Sequence, residues 1–465
     1  MFDSPIARLT CLCLLAAVLT LGLALQPARA DIGAYVLVDA RTGAVVDQKN
    51  ATRKWYPASL TKMMTAYVTF KAIQEGRASL DSAVVQSKNS ASEPPSKMGF
   101  KVGTRFTVDT ALKIILIKSA NDVAVALAEA IGGSEPNFIA MMNAEAKRLG
   151  LSNTRFVNPH GLPDNRQVST ARDLAILAMA LRNDFPESRK FYNHPGIRFG
   201  KKTLRSANRE FLLRVPGANG MKTGYVCNSG YNVAASVTRK GRTLIAIILG
   251  AASGLERTAF ARQLFDEGFR KGNRGKAVAG LSGTSGNPPA DGYCRRNKSP
   301  GPKGYMARFD TQNKTRGGFL FFAKADKEEE IDDSGFTLAN GKPDWNKILD
   351  RTLGPRRVAY RPLVVGLGNP KGTPAVSAST SGLVEITGDT ISVEDIPLPA
   401  ANPVRRAEIE IRNKMQQTTA SAAAIPQAAD SSQGDSEETQ QVAPGSIFRK
   451  GLDFSVPVPA PSPRK

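Results

Sequence analysis

Histidine is almost missing from this chain, with His160 and His194 the two examples in 465 residues. The scarcity bears on chemistry, because histidine is the commonest general base near neutral pH and a frequent metal ligand. His160 lies in Asn158-Pro-His-Gly161 and reads as a structural hydrogen-bonding group of a loop, while His194 precedes Pro195 and reads as an exposed turn residue. Neither fits a Ser-His-Asp triad. With no acidic cluster at ligand spacing, no metal and no cofactor are expected.

Cysteine is scarce too, at four residues, and Cys11 and Cys13 fall in an apolar run from Cys11 to Leu25. That run is shorter than the roughly 20 residues a membrane-spanning helix needs. It follows Arg8 and precedes Ala28-Arg-Ala30, so residues 1–30 read as a cleaved secretory leader with Asp31 as the mature start. The mature chain is then expected in the periplasm or cell envelope, an oxidising setting. Cys227 and Cys294 remain there; a disulfide between them is expected, with two free thiols as the alternative.

Acid is in deficit: 41 Asp and Glu stand against 63 Lys and Arg, a net charge of +22. Nucleic acid would suit such a charge, but export and the lack of an aromatic-interleaved basic motif or zinc spacing exclude it. Anionic wall polymers or membrane faces fit better, beside the plain alternative of solubility.

What the chain does contain is organised around Tyr56-Pro-Ala-Ser59-Leu-Thr-Lys62-Met-Met-Thr65. Pro57 suits the first turn of a helix, and apolar residues at 60, 63, 64, 67, 68 and 70 keep helical spacing until Gly76. Residues three apart share a helical face, so Ser59 and Lys62 come within hydrogen-bond reach. A partly desolvated amine there can serve as base to a nucleophilic hydroxyl. The spacing alone is weak, since Ser462-Pro-Arg-Lys465 repeats it in a Pro-rich stretch. Ser119-Ala-Asn121 and Lys222-Thr-Gly224 change its weight, because S-x-x-K, S-x-N and K-T-G in that order mark penicillin-recognising serine enzymes.

On these triplets, and on Ile117-Lys-Ser-Ala-Asn-Asp122, Asn158-Pro-His-Gly-Leu-Pro163 and Gly217-Ala-Asn-Gly-Met-Lys-Thr-Gly-Tyr225, the chain resembles the low-molecular-weight penicillin-binding proteins, the serine-type D-alanyl-D-alanine carboxypeptidases. The resemblance runs from about Gly33 to about Gly268. It implies that Ser59 attacks the carbonyl between the last two D-alanines of a peptidoglycan stem peptide, with Lys62 as base and Ser119 as proton relay. It further implies that Asn121 holds the substrate amide, and that Lys222 and Thr223 of the Lys-Thr-Gly224 strand edge bind the terminal carboxylate. The backbone N–H groups of Ser59 and Tyr225 would form the oxyanion hole. Arg257 stands near where the family keeps a carboxylate-contacting arginine, with a surface helix-start residue as the alternative. β-Lactam antibiotics would acylate the same serine.

A β-lactamase would need a Glu-x-x-Leu-Asn loop, and Glu135-Pro-Asn continues differently and sits too near Ser119. An endopeptidase acting on cross-links would share every motif. A non-catalytic wall-binding protein would have no need of both lysines and both serines.

Strand-like runs at Ala34–Asp39 and Ala44–Gln48 form a hairpin across Arg41-Thr-Gly43, and Tyr231–Val237 with Thr243–Leu249 form another. Helices are predicted from Ser59, from Thr107 to Ile117, from Val123 to Ile131, from Pro136 to Leu149, from Ser169-Thr170 to Leu181, and from Glu256 to Phe269. Residues 81–105 read as a loop beside the site. The predicted fold is α/β: an antiparallel sheet built from both ends of the domain with a helical insert, which agrees with the serine β-lactamase/DD-transpeptidase fold that the resemblance implies. Residues 31–270 are assigned to this catalytic domain and 271–465 to a low-complexity, largely disordered tail that offers a contact to the wall or a membrane surface. A hairpin at 309–323 and a short helix from Arg405 to Met415 are the weak signals within that tail.

Overall fold

A computed structural model describes residues 32–272, 275–283, 285–299, 301–311 and 336–372, together with the backbone of 383–386 and 389–392. The expectations for 1–30, most of 309–323 and 405–415 lie outside the described residues.

Strand β1 (Ala34–Asp39) turns into β2 (Val45–Lys49), and the two pair antiparallel. The Asp39 carboxylate accepts from the Arg41 and Thr42 amides, and Gly43 takes a positive φ of 71° to close the turn. A helical insert follows, holding α1 (Lys62–Gln74), the small antiparallel pair β3 (Ala83–Val85) and β4 (Arg105–Thr107), then α2 (Val108–Lys113), α3 (Asn121–Gly132), α4 (Glu135–Arg148) and α5 (Ala171–Asp184). Thr107 caps α2, as expected, by accepting from the Thr110 amide at 3.1 Å, and Thr170 caps α5 through the Asp173 amide at 3.0 Å. The chain returns through β5 (Gly196–Phe199), β6 (Lys202–Arg205), β7 (Ala218–Val226), β8 (Gly230–Arg239) and β9 (Arg242–Ala251), then α6 (Gly254–Gly268).

The main sheet runs β2-β1-β9-β8-β7, all antiparallel, so the first strands pair with the last. Alternation decides its faces. Val36, Val38, Ile245, Ile247 and Leu249 look into the core shared with the insert. Leu37, Leu244, Ala246, Ile248 and Val233 look the other way, into a core with Phe265 and Leu264 of α6. Both faces are therefore buried, each large aliphatic contributing about 1.5–3 kcal/mol.

Two differences from the sequence reading concern elements. Residues 81–105 hold β3, a short helix at Lys88–Ala91 and the start of β4. Their polar, Pro-rich text hid three-residue strands that carry little periodic signal. The boundary at 270 is also too early. α7 (Pro302–Phe309) and α8 (Trp345–Leu353) bury Tyr305, Phe309 and Leu353 against Ala259, Leu255 and Phe260 of α6. β10 (Leu363–Val365) adds to β5 in parallel, and Thr110 Oγ1 donates to the Gly366 carbonyl at 2.8 Å. The apolar residues of 301–311 and 336–372 are few, but they are placed on a partner surface that composition cannot reveal.

The described residues fall in two units. In the second, Leu383–Ile386 and Asp389–Ser392 pair as an antiparallel hairpin.

Candidate active site

The turn before α1 is a single 3-10 turn, Ala58–Thr61, and it is gripped from both sides. A Cβ on Gly224 of β7 would come within 3.0 Å of the Ser59 nitrogen, and one on Gly161 within 1.9 Å of the Ala58 carbonyl oxygen. Only glycine lets these two backbones come so close. Asn232, opposite Gly224 in the sheet, donates to the Tyr56 carbonyl at 3.0 Å and accepts from the Gly250 amide at 3.0 Å, tying the turn to β8 and β9. Ala58 sits at φ 49°, a left-handed conformation that costs an alanine about 1–3 kcal/mol.

Lys62, one residue into the helix, is fully buried. Its amine lies 3.1 Å from Ser59 Oγ, 2.8 Å from Asn121 Oδ1 and 2.7 Å from the His160 carbonyl oxygen. The two carbonyl-type oxygens can only accept. In the neutral amine, the form a lowered pKa favours, these acceptors match its two N–H bonds, and its lone pair would then be free for the Ser59 hydroxyl. Burial, and then the charge of Lys222, hold the Lys62 pKa well below the ordinary lysine value, with Glu93 and Asp122 pulling the other way.

Ser119 arrives by a different device. After α2 the backbone widens into a π-helical turn, Ile114–Lys118, closed by the Ser119 amide on the Ile114 carbonyl at 2.9 Å. Ser119 itself adopts φ 70°, and α3 begins at Asn121. This is the helix-to-helix corner expected from sequence. The Asn121 side-chain amine donates to the Pro94 carbonyl at 3.0 Å, which fixes its oxygen toward Lys62. Asp122 accepts from the Met98 and Gly99 amides, at 3.0 and 2.8 Å, and so moors the loop of residues 94–99 beside the site.

Lys222 Nζ donates to Ser119 Oγ and to the Thr223 carbonyl, both at 2.8 Å. It is also buried, and its pKa is lowered to about 7, first by burial and then by the charges of Arg257 and Lys118. The Lys222-Thr-Gly224 triplet lies inside β7, an edge strand of the sheet. Arg257, in the first turn of α6, is buried rather than on the surface. It donates to the Ala207 carbonyl at 2.9 Å and lies 5.9 Å from the Tyr231 ring centre, while its Nε is buried without a hydrogen-bond partner.

Of the residues singled out from sequence, Lys62 contacts Ser59 and Asn121, Lys222 contacts Ser119, and Gly224 lies against the Ser59 turn, with Thr223 and Tyr225 beside it on β7. Sequence reading missed Asn232, Lys118 and Glu93. Glu93 and His160 form a buried pair, 3.3 Å from carboxylate to Nε2, with His160 Nδ1 accepting from the Leu162 amide at 3.0 Å. His160 thus has the structural role expected, and its carbonyl also orients Lys62. His194 is half-buried, its Nε2 3.0 Å from the Lys190 carbonyl oxygen. Among the described residues no group of three or more His, Cys, Asp or Glu could hold a metal ion.

The family model described as D-alanyl-D-alanine carboxypeptidase matches residues 23–253. In the crystal structure of penicillin binding protein 5 from Haemophilus influenzae, a chain 34% identical superposes with a TM-score of 0.50, over 53% of this chain and 73% of that one. The protein belongs to the D-alanyl-D-alanine carboxypeptidase family. D-alanyl-D-alanine carboxypeptidase DacC of Escherichia coli is 39% identical over 248 residues, 52% of this chain and 62% of its own length. D-alanyl-D-alanine carboxypeptidase DacA of H. influenzae is 37% identical over 241 residues, 50% of this chain and 61% of its own. The match therefore spans under two thirds of these relatives, and the family's serine-hydrolase α/β fold is the part held in common.

Proposed function

We propose that the protein is a serine DD-carboxypeptidase that removes the terminal D-alanine from peptidoglycan stem peptides and is acylated by β-lactams. The observation that carries the reading is the paired contact of Ser59 with a buried Lys62 and of Ser119 with a buried Lys222, across one cleft. Neutral Lys62 takes the Ser59 proton as Oγ bonds to the carbonyl carbon of the penultimate D-alanine. The Ser59 and Tyr225 amides, brought together where Gly224 touches the nucleophile turn, stabilise the oxyanion. As the C–N bond breaks, Ser119 hands a proton to the departing amine and recovers one from Lys62, returning it to neutrality. Water then cleaves the acyl-enzyme by the same proton route. Asn121 holds the donor amide, while Lys222, Thr223 and Arg257 hold the terminal carboxylate.

With a β-lactam the leaving nitrogen stays tethered and obstructs the incoming water, so the acyl-enzyme persists. We place this chemistry in the cell envelope, supported by the leader-like residues 1–30 and by a disulfide suited to an oxidising compartment.

Intact-mass measurement after penicillin treatment tests the assignment. One penicilloyl group per chain is expected, absent in Ser59→Ala. Labelling of Ser59→Ala at another residue would overturn it, and rapid turnover of penicillin would point to a β-lactamase.

A further inference from the structure

Residues 285–299 form a strap outside the family motifs, and it is fastened close to the nucleophile turn. Cys294 is joined to Cys227, two residues beyond Tyr225, and the Cys294 amide donates to the Cys227 carbonyl at 2.9 Å. At its other end the Lys54 amide donates to the Ser285 carbonyl at 2.6 Å. Between them, Tyr293 donates to the Gly250 carbonyl at 2.9 Å and sets its ring edge-on to the buried Trp55, centres 5.3 Å apart. Asn228 then holds the crest of the strap with both ends of its amide: Nδ2 donates to Asp291 Oδ1 at 2.6 Å, and Oδ1 accepts from the Gly292 amide at 2.9 Å. Asp291 is exposed at that crest.

The strap lies at a defined end of the cleft. Lys222 and Lys118 gather positive charge at the Ser119 end, which suits the substrate's terminal carboxylate, while Arg257 lies against Asn232 and Tyr231. The scissile carbonyl belongs beside Ser59 and Gly224. Those two points set the direction of a bound peptide, whose preceding residues continue along β7 toward Tyr225 and Cys227. From Thr223 to Cys227 is roughly 13 Å at about 3.3 Å per residue, so the strap faces the residues just ahead of the D-alanines. Tyr56 stands there too, its hydroxyl 3.4 Å from Asn165 Oδ1. Its pKa is raised by burial and then by the Asp291 charge. Of the two arginines on the strap, Arg296 is turned to the carbonyls of Ala290 and Asp291, and Arg295 packs its guanidinium against Gly292; the Asp291 carboxylate accepts from Asn228.

We propose that the disulfide-held strap is the donor-side wall of the cleft, and that Asp291 selects peptides whose residue before D-Ala-D-Ala carries a free side-chain ammonium. This rests on the carboxypeptidase reading above, and the experiment separates the two. Hydrolysis of Nα-acetyl-Lys-D-Ala-D-Ala and of its Nα,Nε-diacetyl counterpart is compared in the full chain, in Asp291→Asn and in Asp291→Lys. An exposed ion pair is worth up to about 1 kcal/mol, so the native protein should favour the free amine by about two- to five-fold in kcat/KM. Asp291→Asn should erase that preference by slowing the free-amine peptide alone, and Asp291→Lys should invert it. A Cys227→Ser, Cys294→Ser pair with an intact thermal transition should lose the preference as well. An unchanged ratio in Asp291→Asn overturns the selection while leaving the carboxypeptidase reading intact. Hydrolysis of neither peptide by the native protein, with penicillin labelling intact, would instead remove the reading on which it rests.

Discussion

The cleft holds two buried lysines, three ångströms or so from a serine each, and they are not equivalent. Lys62 sits among acceptors, between the Asn121 oxygen and the His160 carbonyl, with Ser59 Oγ 3.1 Å away. Lys222 sits among cations, and burial first, then Arg257 and Lys118, press its pKa down to about 7. Burial lowers both, yet the neighbours assign different work. A neutral amine framed by carbonyls is a base waiting for a proton. An amine held at the edge of ionisation by like charges is a receptor for an anion, since an arriving carboxylate relieves the repulsion and restores the proton.

The sharpest way to break this comparison is to remove the base. Lys62→Ala should slow penicillin acylation by about 10²–10⁴-fold, the usual range for a positioned acid–base group, with the thermal transition retained. Acylation within tenfold of native, followed by stopped-flow labelling, would show that another group activates Ser59.

The pH profile of kcat/KM on a D-Ala-D-Ala peptide separates the two lysines next. Lys62 must be neutral, so its lowered pKa gives the acid limb. Lys222 must be charged, and its pKa of about 7 gives the alkaline limb. The sign follows from linkage: a bound carboxylate raises the Lys222 pKa, so binding is complete below about pH 7 and weakens by up to about tenfold per unit above it. In Lys222→Met the limb near 7 should vanish, with KM raised by about ten-fold or more as a charge-assisted hydrogen bond is lost. A limb that stays in place in that variant would belong to a different group.

The smallest effect sharpens the comparison most finely. Lys118 ranks behind burial and Arg257 in depressing Lys222, and its amine donates to Ser96 Oγ at 2.8 Å. Lys118→Met should therefore move the alkaline limb upward by a few tenths of a unit, with the acid limb unchanged. A downward shift would contradict a repulsive role.

Much of this was legible before any coordinates. Ser59 and Lys62 are linked by helical periodicity, and Thr107 and Thr170 announce their helices because capping is a local hydrogen bond. The order of the three triplets carried the rest of the cleft. What could not be read is what depends on close approach at long range. Gly161 and Gly224 look like loop glycines in sequence, and only the fold shows that they flank Ser59. Lys118 looks like a solvated charge beside a motif, yet it is half-buried and acts on Lys222. The helices of 302–353 are short amphipathic pieces whose apolar side means nothing until α6 is there to receive it.

The pairing of the first strand with the last has a consequence in time. Ala34 is the register partner of Leu249, and the Ser59 turn is held by Gly224, Asn232 and Gly250. A growing chain that has reached residue 215 already carries Ser59, Lys62, Ser119 and Asn121, but neither Lys222 nor the strands that fix the turn. Pairings so distant in sequence form slowly, after their loop entropy has been met. The nucleophile is thus present early and becomes competent last, so an unfinished chain carries the serine without the means to use it.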